Sequence, residues 1–342
     1  MHSNECFCSF VPPAALNRLA RKSEEARRSI YRSKLARDQR EKKIEEVAGL
    51  AAAVTRGNAQ REIYDCKHTW NQRENLVRDE NGPATGDESA DESFDYAGIV
   101  RSYFKDVLGR DSINGAGMDL ILNVHFGVDY MNAFWDGDEM TFGDGDGEIF
   151  TTFSRSLDVV AHELAHGVTQ FTAGLRYRSQ SGALNEHFSD VFGSSITQHA
   201  GGQTANEADW LIGDEIMGPK LYGEALRSMK APGTAYDNDL LGVDPQPGHM
   251  RDYYDGTADR QGVHINSGIP NRAFYRVATE IGTDKAALIW YESLLNLWPN
   301  ANFNDATEVI TEAARRLTRD GKAPLGSTQV VRMAFKSVGL PH

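Results

Sequence analysis

Cysteine is scarce in this chain of 342 residues: Cys6, Cys8 and Cys66 are too few for a disulfide framework and leave at least one odd thiol. Positive charge is short as well. Lys and Arg total 36 against 49 Asp and Glu, a formal net charge of −13. That balance speaks against nucleic acid as a partner, because phosphate contacts need concentrated Lys and Arg. No run of about 18 apolar residues occurs, so no helix is expected to cross a bilayer and no membrane partner is expected. A secretory leader pattern is also missing. The mildly apolar stretch from Cys6 to Leu19 is broken by Pro12-Pro13, and the basic residues follow it instead of preceding it. Cytoplasmic synthesis without a signal peptide is the expectation, with leaderless release to the extracellular space as a route out. Internal repeats are absent.

The charge that is present is uneven. Residues 1–60 carry 12 Lys or Arg against 7 Asp or Glu, a net of +5, so the remainder carries −18 of the total of −13. A basic segment lying on an acidic body fits this, and a free basic tail fits it equally.

The densest chemistry lies in His162-Glu163-Leu164-Ala165-His166. A helix advances 3.6 residues per turn, so positions i and i+4 stand on one face. His162 and His166 can therefore offer two imidazole nitrogens to one zinc ion, with Glu163 beside them as general base. A catalytic zinc needs a third protein ligand and an open position for water. Twenty residues after His166, Asn185-Glu186-His187-Phe188-Ser189-Asp190 supplies a second helical stretch. Glu186 is the candidate ligand, and Asp190 can fix the tautomer of His162 through its far nitrogen. A solvated helix face is the bland reading of Glu186 and Asp190, and it loses once their spacing is taken with the His-Glu-x-x-His run. Asp144-Gly145-Asp146-Gly147 invites an EF-hand reading. That loop would need Gly sixth and Glu twelfth, where this chain has Ile149 and Arg155, so a tight turn is expected instead.

Periodicity predicts one charged helix over 14–50, striped by Leu16, Leu19, Ala26, Ile30, Leu35, Ile44 and Val47, with Gly57-Asn58 breaking it. An acidic, turn-rich loop follows at 81–93, then a helix at 94–108. Strands are expected at 120–126 and 140–142, and the zinc helix at 155–171. Helices are expected at 186–199, 207–216, 266–281, 283–296, 303–318 and 327–337. The fold class is α+β: a β-rich N-terminal half, a mainly helical C-terminal half, and the zinc-binding helix in the cleft between them.

With these residues in place, the chain resembles the thermolysin family of zinc metallopeptidases, and within it the short-prosegment, protealysin-like branch. The resemblance covers roughly residues 62 to 342. It rests on Asn132-Ala133-Phe134-Trp135, the run around His162, Gly182-Ala183-Leu184-Asn185-Glu186, Leu226-Arg227-Ser228-Met229 and Gly262-Val263-His264-Ile265-Asn266-Ser267-Gly268. Val11-Pro12-Pro13-Ala14-Ala15-Leu16 resembles the branch's Pro-Pro motif, and Arg61-Glu62-Ile63-Tyr64-Asp65 the start of its mature domain. The resemblance implies three parts: a helical prosegment at 1–60, an N-terminal catalytic subdomain at 61–180 and a helical C-terminal subdomain at 181–342.

It also implies an autoprocessed neutral endopeptidase that its own prosegment inhibits, with peptides or proteins as substrates. Tyr177 and His264 would donate to the developing oxyanion, with Asp259 positioning His264. Asn132 and the backbone of Ala133 and Trp135 would hold an extended peptide, and Arg227 would grip a peptide carbonyl. Phe150, Phe153, Val159, Ile212, Ile216 and Leu226 would line a pocket for a hydrophobic residue just after the scissile bond. Phe153 stands where related enzymes often carry a smaller aliphatic. Asp158, Asp209 and Asp214 match part of the family's double-calcium site. Thr197 and Leu211 replace carboxylates there, so at most one structural calcium ion is expected beside the one catalytic zinc. Thiolate is a strong zinc ligand, yet nothing in the sequence places Cys6 or Cys8 near the metal. A metal-binding module without turnover is the competing class. The presence of base, ligands and oxyanion donors together argues against it.

Overall fold

The computed structural model of the chain describes residues 8–47 and 59–341. It opens with a short strand, β1 (Cys8–Ser9), and a helix, α1 (Pro13–Leu19), which Pro13 starts at a position that needs no N–H donor. Helix α2 (Glu24–Val47) begins afresh, because the Ser23 hydroxyl accepts the Ala26 amide at 3.0 Å and caps it. The single helix expected over 14–50 is therefore two. Its expected stop at Gly57-Asn58 lies outside the described residues.

Strands β2 (Arg61–Asp65) and β3 (Asn75–Arg78) precede helix α3 (Glu88–Asp106), and β4 (Leu120–Val124), β5 (Ala133–Trp135) and β6 (Met140–Phe142) follow it. They form a six-stranded sheet in the order β1-β5-β6-β4-β2-β3. The strands β2, β4 and β6 run parallel, whereas β5 is antiparallel to β6. The N-terminal segment supplies the edge strand: Cys8 faces Trp135 and Ser9 faces Phe134, antiparallel. A strand from one part of the chain thus completes a sheet that belongs to another.

Helix α4 (Leu157–Gln170) is buried along its length from Leu157 to Thr169, its polar Asp158, His162, Glu163 and His166 included. It packs chiefly against α5 (Ser179–Ala200). Gly193 permits the close approach, since a Cβ there would lie 3.0 Å from the Asp158 carbonyl oxygen. The expected subdomain boundary at 180–181 falls in the first turn of α5.

The helix expected at 207–216 is absent. In its place a strand, β7 (Leu211–Ile212), pairs antiparallel with β8 (Arg227–Ser228). Left-handed backbone at Trp210 (φ 64°) and Gly213 (φ 74°) brackets β7 and stops a helix at both ends. A second small hairpin, β9 (Asp237–Asn238) and β10 (Gly242–Val243), follows. The remainder is helical: α6 (Ala258–Asn266), α7 (Gly268–Ile281), α8 (Thr283–Leu294), α9 (Phe303–Arg319) and α10 (Ser327–Ser337). Helix α9 opens with a capping box between Asn302 and Asp305. The architecture is α+β, with α4 and α5 between sheet and helices.

Candidate active site

His162 and His166 on α4 and Glu186 on α5 converge, with one ligand atom from each within 4.8 Å of the others. The Nε2 atoms of His162 and His166 each lie 3.5 Å from a different oxygen of Glu186. All three side chains are fully buried, and both Nε2 atoms and Glu186 Oε2 lack a hydrogen-bond partner. Buried polar atoms left unpaired are costly, so this set asks for a cation. The other ring nitrogens each face a partner. Asp190 lies 2.9 Å from His162 Nδ1, while Asn185 and Ser189 lie 2.8 and 3.0 Å from His166 Nδ1. That arrangement leaves both Nε2 atoms free for a metal, the usual support of ligating histidines. The donor set fits zinc: two imidazoles and a carboxylate, with room for a fourth ligand.

The electrostatics agree. Burial drives His166 down to about 3, keeping it neutral as a metal ligand must be. Burial opposes a charge on Glu186, but His264, His166 and His162 outweigh it and hold the carboxyl well below its ordinary range. At His162 burial opposes a positive charge, yet Asp190 and Glu186 raise it to about 9. The carboxylates that favour a proton there favour a cation equally.

Glu163 stands beside the triad, with Oε2 accepting the Trp135 amide at 3.0 Å and Oε1 buried without a partner. Burial pushes its carboxyl up to about 8. The Trp135 amide donates to Glu163, because β5 lies directly against α4, while the Trp135 backbone faces Cys8 of β1. Across the cleft the Tyr177 hydroxyl bonds Glu186 and lies 3.2 Å from His264 Nε2. Asp259 grips His264 twice, Oδ1 at 2.7 Å from Nδ1 and Oδ2 accepting its amide at 2.8 Å. Four successive left-handed residues, Asp259 to Gly262, make this turn. Burial works against a charged His264, but Asp259 and Glu186 prevail and lift it to about 9.

The cleft is filled by the chain itself. The Phe10 amide donates to the Ala133 carbonyl at 3.0 Å and the Val11 amide to Asn132 Oδ1 at 2.9 Å. Arg227 Nη1 donates to the Phe10 carbonyl at 3.2 Å, and His264 Nε2 donates to the Ser9 carbonyl at 2.9 Å. The Phe10 ring is fully buried, edge-on to His162 at 5.1 Å between ring centres, with the Arg227 guanidinium 5.0 Å away. Gly213 makes the space: a Cβ there would come within 2.9 Å of Phe10 and 3.3 Å of Leu226. The other expected pocket residues, Phe150, Phe153, Val159, Ile212 and Ile216, are all fully buried, with Phe150 and Phe153 in ring contact at 5.7 Å. Asp190 ties the pocket to the His162-His166-Glu186 group. It takes Arg227 Nε and Nη2 at 2.9 Å and Asn271 Nδ2 at 2.8 Å while it also holds His162.

Phe10 and Gly213 escaped the sequence reading. Gly213, set between apolar Ile212 and acidic Asp214, was the one available sign of a cavity floor. The calcium expectation is not supported. Among the described residues, Asp158, Asp209 and Asp214 do not converge into a metal-holding group. The Asp158 carboxylate is occupied internally, bonded by the Ser156 hydroxyl and by the Gly213 amide at 2.7 Å. Cys8 is buried beside Tyr177 and Val263. No cysteine joins the ligand group among the described residues. Cys6 lies outside them.

Comparisons with known proteins match this geometry. The model of the thermolysin metallopeptidase catalytic domain covers residues 39–170, and that of the thermolysin metallopeptidase alpha-helical domain covers 173–340. An extracellular metalloprotease of Pectobacterium carotovorum subsp. carotovorum is 43% identical over 344 residues, 97% of this chain and 96% of the relative. A thermolysin of Alicyclobacillus acidocaldarius subsp. acidocaldarius is 40% identical over 268 residues, 75% of this chain and 46% of the longer relative. Among solved structures, the precursor of protealysin from Serratia proteamaculans superposes with a TM-score of 0.84 at 40% identity, covering 97% of this chain and 99% of that one. The chain belongs to the thermolysin family of zinc metallopeptidases, as a metalloendopeptidase of its protealysin-like branch.

Proposed function

We propose that this chain is the self-inhibited precursor of a neutral endopeptidase that cuts before hydrophobic residues, with Glu163 as general base. The observation that carries this reading is the N-terminal segment in the cleft: Ser9, Phe10 and Val11 are held by main-chain contacts and one apolar pocket, as an extended substrate would be. A zinc ion held by His162, His166 and Glu186 would supply Lewis acidity and a water that is acidic at neutral pH. Glu163 then takes a proton from the attacking water at its unpartnered Oε1 and delivers it to the leaving amine, a transfer typically worth about 10²–10⁴-fold. His264 Nε2, already on the Ser9 carbonyl, donates to the carbonyl oxygen as negative charge builds, and the neighbouring Tyr177 hydroxyl joins it once its proton turns from Glu186. Asp259 keeps His264 charged and aimed. Ala133, Asn132 and Arg227 hold the leaving side.

Selectivity follows from the place Phe10 occupies. Burying an aromatic or branched side chain there is worth about 1.5–3 kcal/mol, so peptides with Phe or Leu after the cut should exceed those with Asp or Gly by about 10–100-fold in kcat/KM. In the precursor Phe10 holds that place against substrate, which makes the segment an inhibitor. The printed name of the Pectobacterium relative supports action outside the cell. The decisive experiment is Glu163→Ala in the processed enzyme. It should retain its zinc and lose at least about 10²-fold in kcat on casein or a peptide with Leu after the cut. Undiminished hydrolysis by that variant would overturn the assignment of the base.

A further inference from the structure

Three parallel strands of the sheet end side by side, and each is followed by a residue with metal-ligating chemistry. His68 lies just beyond β2, His125 immediately after β4 and Asp144 just beyond β6. One ligand atom from each lies within 4.8 Å of the others. His125 Nδ1 is 2.9 Å from Asp144 Oδ2, and His68 Nδ1 is 3.4 Å from that same oxygen. These separations bracket the edge of about 3.3 Å that a tetrahedral site with metal–nitrogen bonds of about 2.0–2.1 Å requires. We propose that His68, His125 and Asp144 form a second metal site, for a borderline divalent cation such as zinc, on the surface beside the catalytic cleft.

Several features point the same way. The far nitrogen of His125, Nε2, lies 3.1 Å from Asp87, so a carboxylate orients this imidazole just as Asp190 orients His162 at 2.9 Å. His68 and His125 both hold left-handed backbone, φ 57° and 54°, and the His68 amide donates to the His125 carbonyl at 2.9 Å. Such backbone in non-glycine residues persists only where surrounding structure enforces it. Asp146 is spent on its turn, accepting the amides of Glu148, Ile149 and Phe150, whereas Asp144 points its carboxylate at the two histidines. The side chains of His125 and Asp144 are 19% and 22% exposed and that of His68 is 59% exposed, which leaves one side open to water. Two imidazoles and one carboxylate suit zinc, nickel or copper, whereas calcium and magnesium call for oxygen cages.

The position gives the ion a task. The Gly143 amide, next to Asp144, donates to the Asn132 carbonyl at 3.0 Å. Asn132 is the residue that receives the Val11 amide. A cation joining the ends of β2, β4 and β6 would therefore brace the backbone behind a substrate-holding residue.

The test counts metal and does not depend on the catalytic assignment. The full-length Glu163→Ala chain, saturated at its buried site with one zinc, is titrated with further Zn²⁺ by calorimetry, and bound metal is counted by mass spectrometry. A second equivalent is expected. His68→Ala should weaken that second event by at least about tenfold to hundredfold, and His199→Ala, which alters another surface histidine near a carboxylate, should leave it unchanged. His68 is largely exposed, so its variant should melt with the parent when only the buried site is filled. Binding that stops at one equivalent would overturn the proposal. So would a second equivalent that survives both His68→Ala and Asp144→Asn.

Discussion

Asp190 is the residue on which most of the site depends, because one buried carboxylate serves His162 and the Arg227 that holds the Phe10 carbonyl together. Burial raises the cost of its charge, but Arg227 and His162 hold it down at about 2. Removing that charge while keeping the shape should disturb both partners. Asp190→Asn is expected to weaken zinc by about 10–100-fold, read by chelator competition, and to raise KM as Arg227 loses its anchor. A variant that changed neither would mean that α5 alone fixes the two groups. Asp214 makes an opposite case. Burial, and then the charges of Asp158 and Asp209, raise its folded pKa to about 6 from an ordinary 3.8. A carboxyl raised on folding adds stability below its unfolded value and loses it as pH rises through about 6. At pH 7.5 its charge is therefore a burden, and Asp214→Asn should raise Tm there while changing little at pH 4. Were a calcium ion held at this place, the same substitution would lower Tm instead. At this scale much was legible: His162, Glu163, His166 and Glu186 announce themselves because helical periodicity converts their spacing into geometry. Phe10 did not, since its meaning depends on β5, more than a hundred residues away.

At the scale of elements, the two short strands β7 and β8, which carry Ile212 and Arg227, were the hardest to foresee. Apolar and acidic residues at 207–216 read as a helix by composition. Left-handed Trp210 and Gly213 make it a hairpin that sets Ile212 opposite Arg227. Long helices such as α9 and α10 gave no such trouble, because their stripes and ends are local. Strand β1 is only two residues long, too short for periodicity to register. Its hold on β5 nevertheless seats Phe10, and helix α2 reinforces it. The Met131 amide donates to the Ser29 hydroxyl at 2.9 Å, and Ser33 bonds the Tyr130 hydroxyl at 2.7 Å, just before Asn132. Phe10 should dominate retention, since its full burial is worth about 1.5–3 kcal/mol. Phe10→Ala in the full-length chain should accordingly hydrolyse a small peptide at a rate about 10–100-fold above the unprocessed parent. Ser29→Ala should have a smaller effect. Equal and negligible rates in all three proteins would show that the helices, and not the pocket, keep the cleft closed.

For the whole molecule, the question is what keeps the described N-terminal residues from Cys8 onward on the body and what releases them. The charge asymmetry of +5 against −18 suggests attraction. The contacts of the described residues are mostly of another kind: Phe10, Val11, Ala15, Leu16 and Leu19 are all 3% exposed or less, and Arg32 lies over the Trp70 ring at 4.4 Å. Exposed ion pairs contribute only about 0–1 kcal/mol each and fade with salt, whereas apolar burial does not. Activation should therefore be set by chain cleavage, and raising sodium chloride to 1 M should not free the cleft. The expected cut lies between residues 50 and 62, a stretch that falls mostly outside the described residues. Incubating the full-length protein should give a species shortened by about 6–7 kDa, on the scale of 37.8 kDa for 342 residues, with activity rising as it appears. The Glu163→Ala precursor should stay intact alone and be trimmed when wild-type enzyme is added. If full-length and trimmed proteins hydrolysed a peptide equally, the segment would be a folding aid. If 1 M salt alone raised activity without trimming, charge and not the apolar anchor would be what holds the precursor shut.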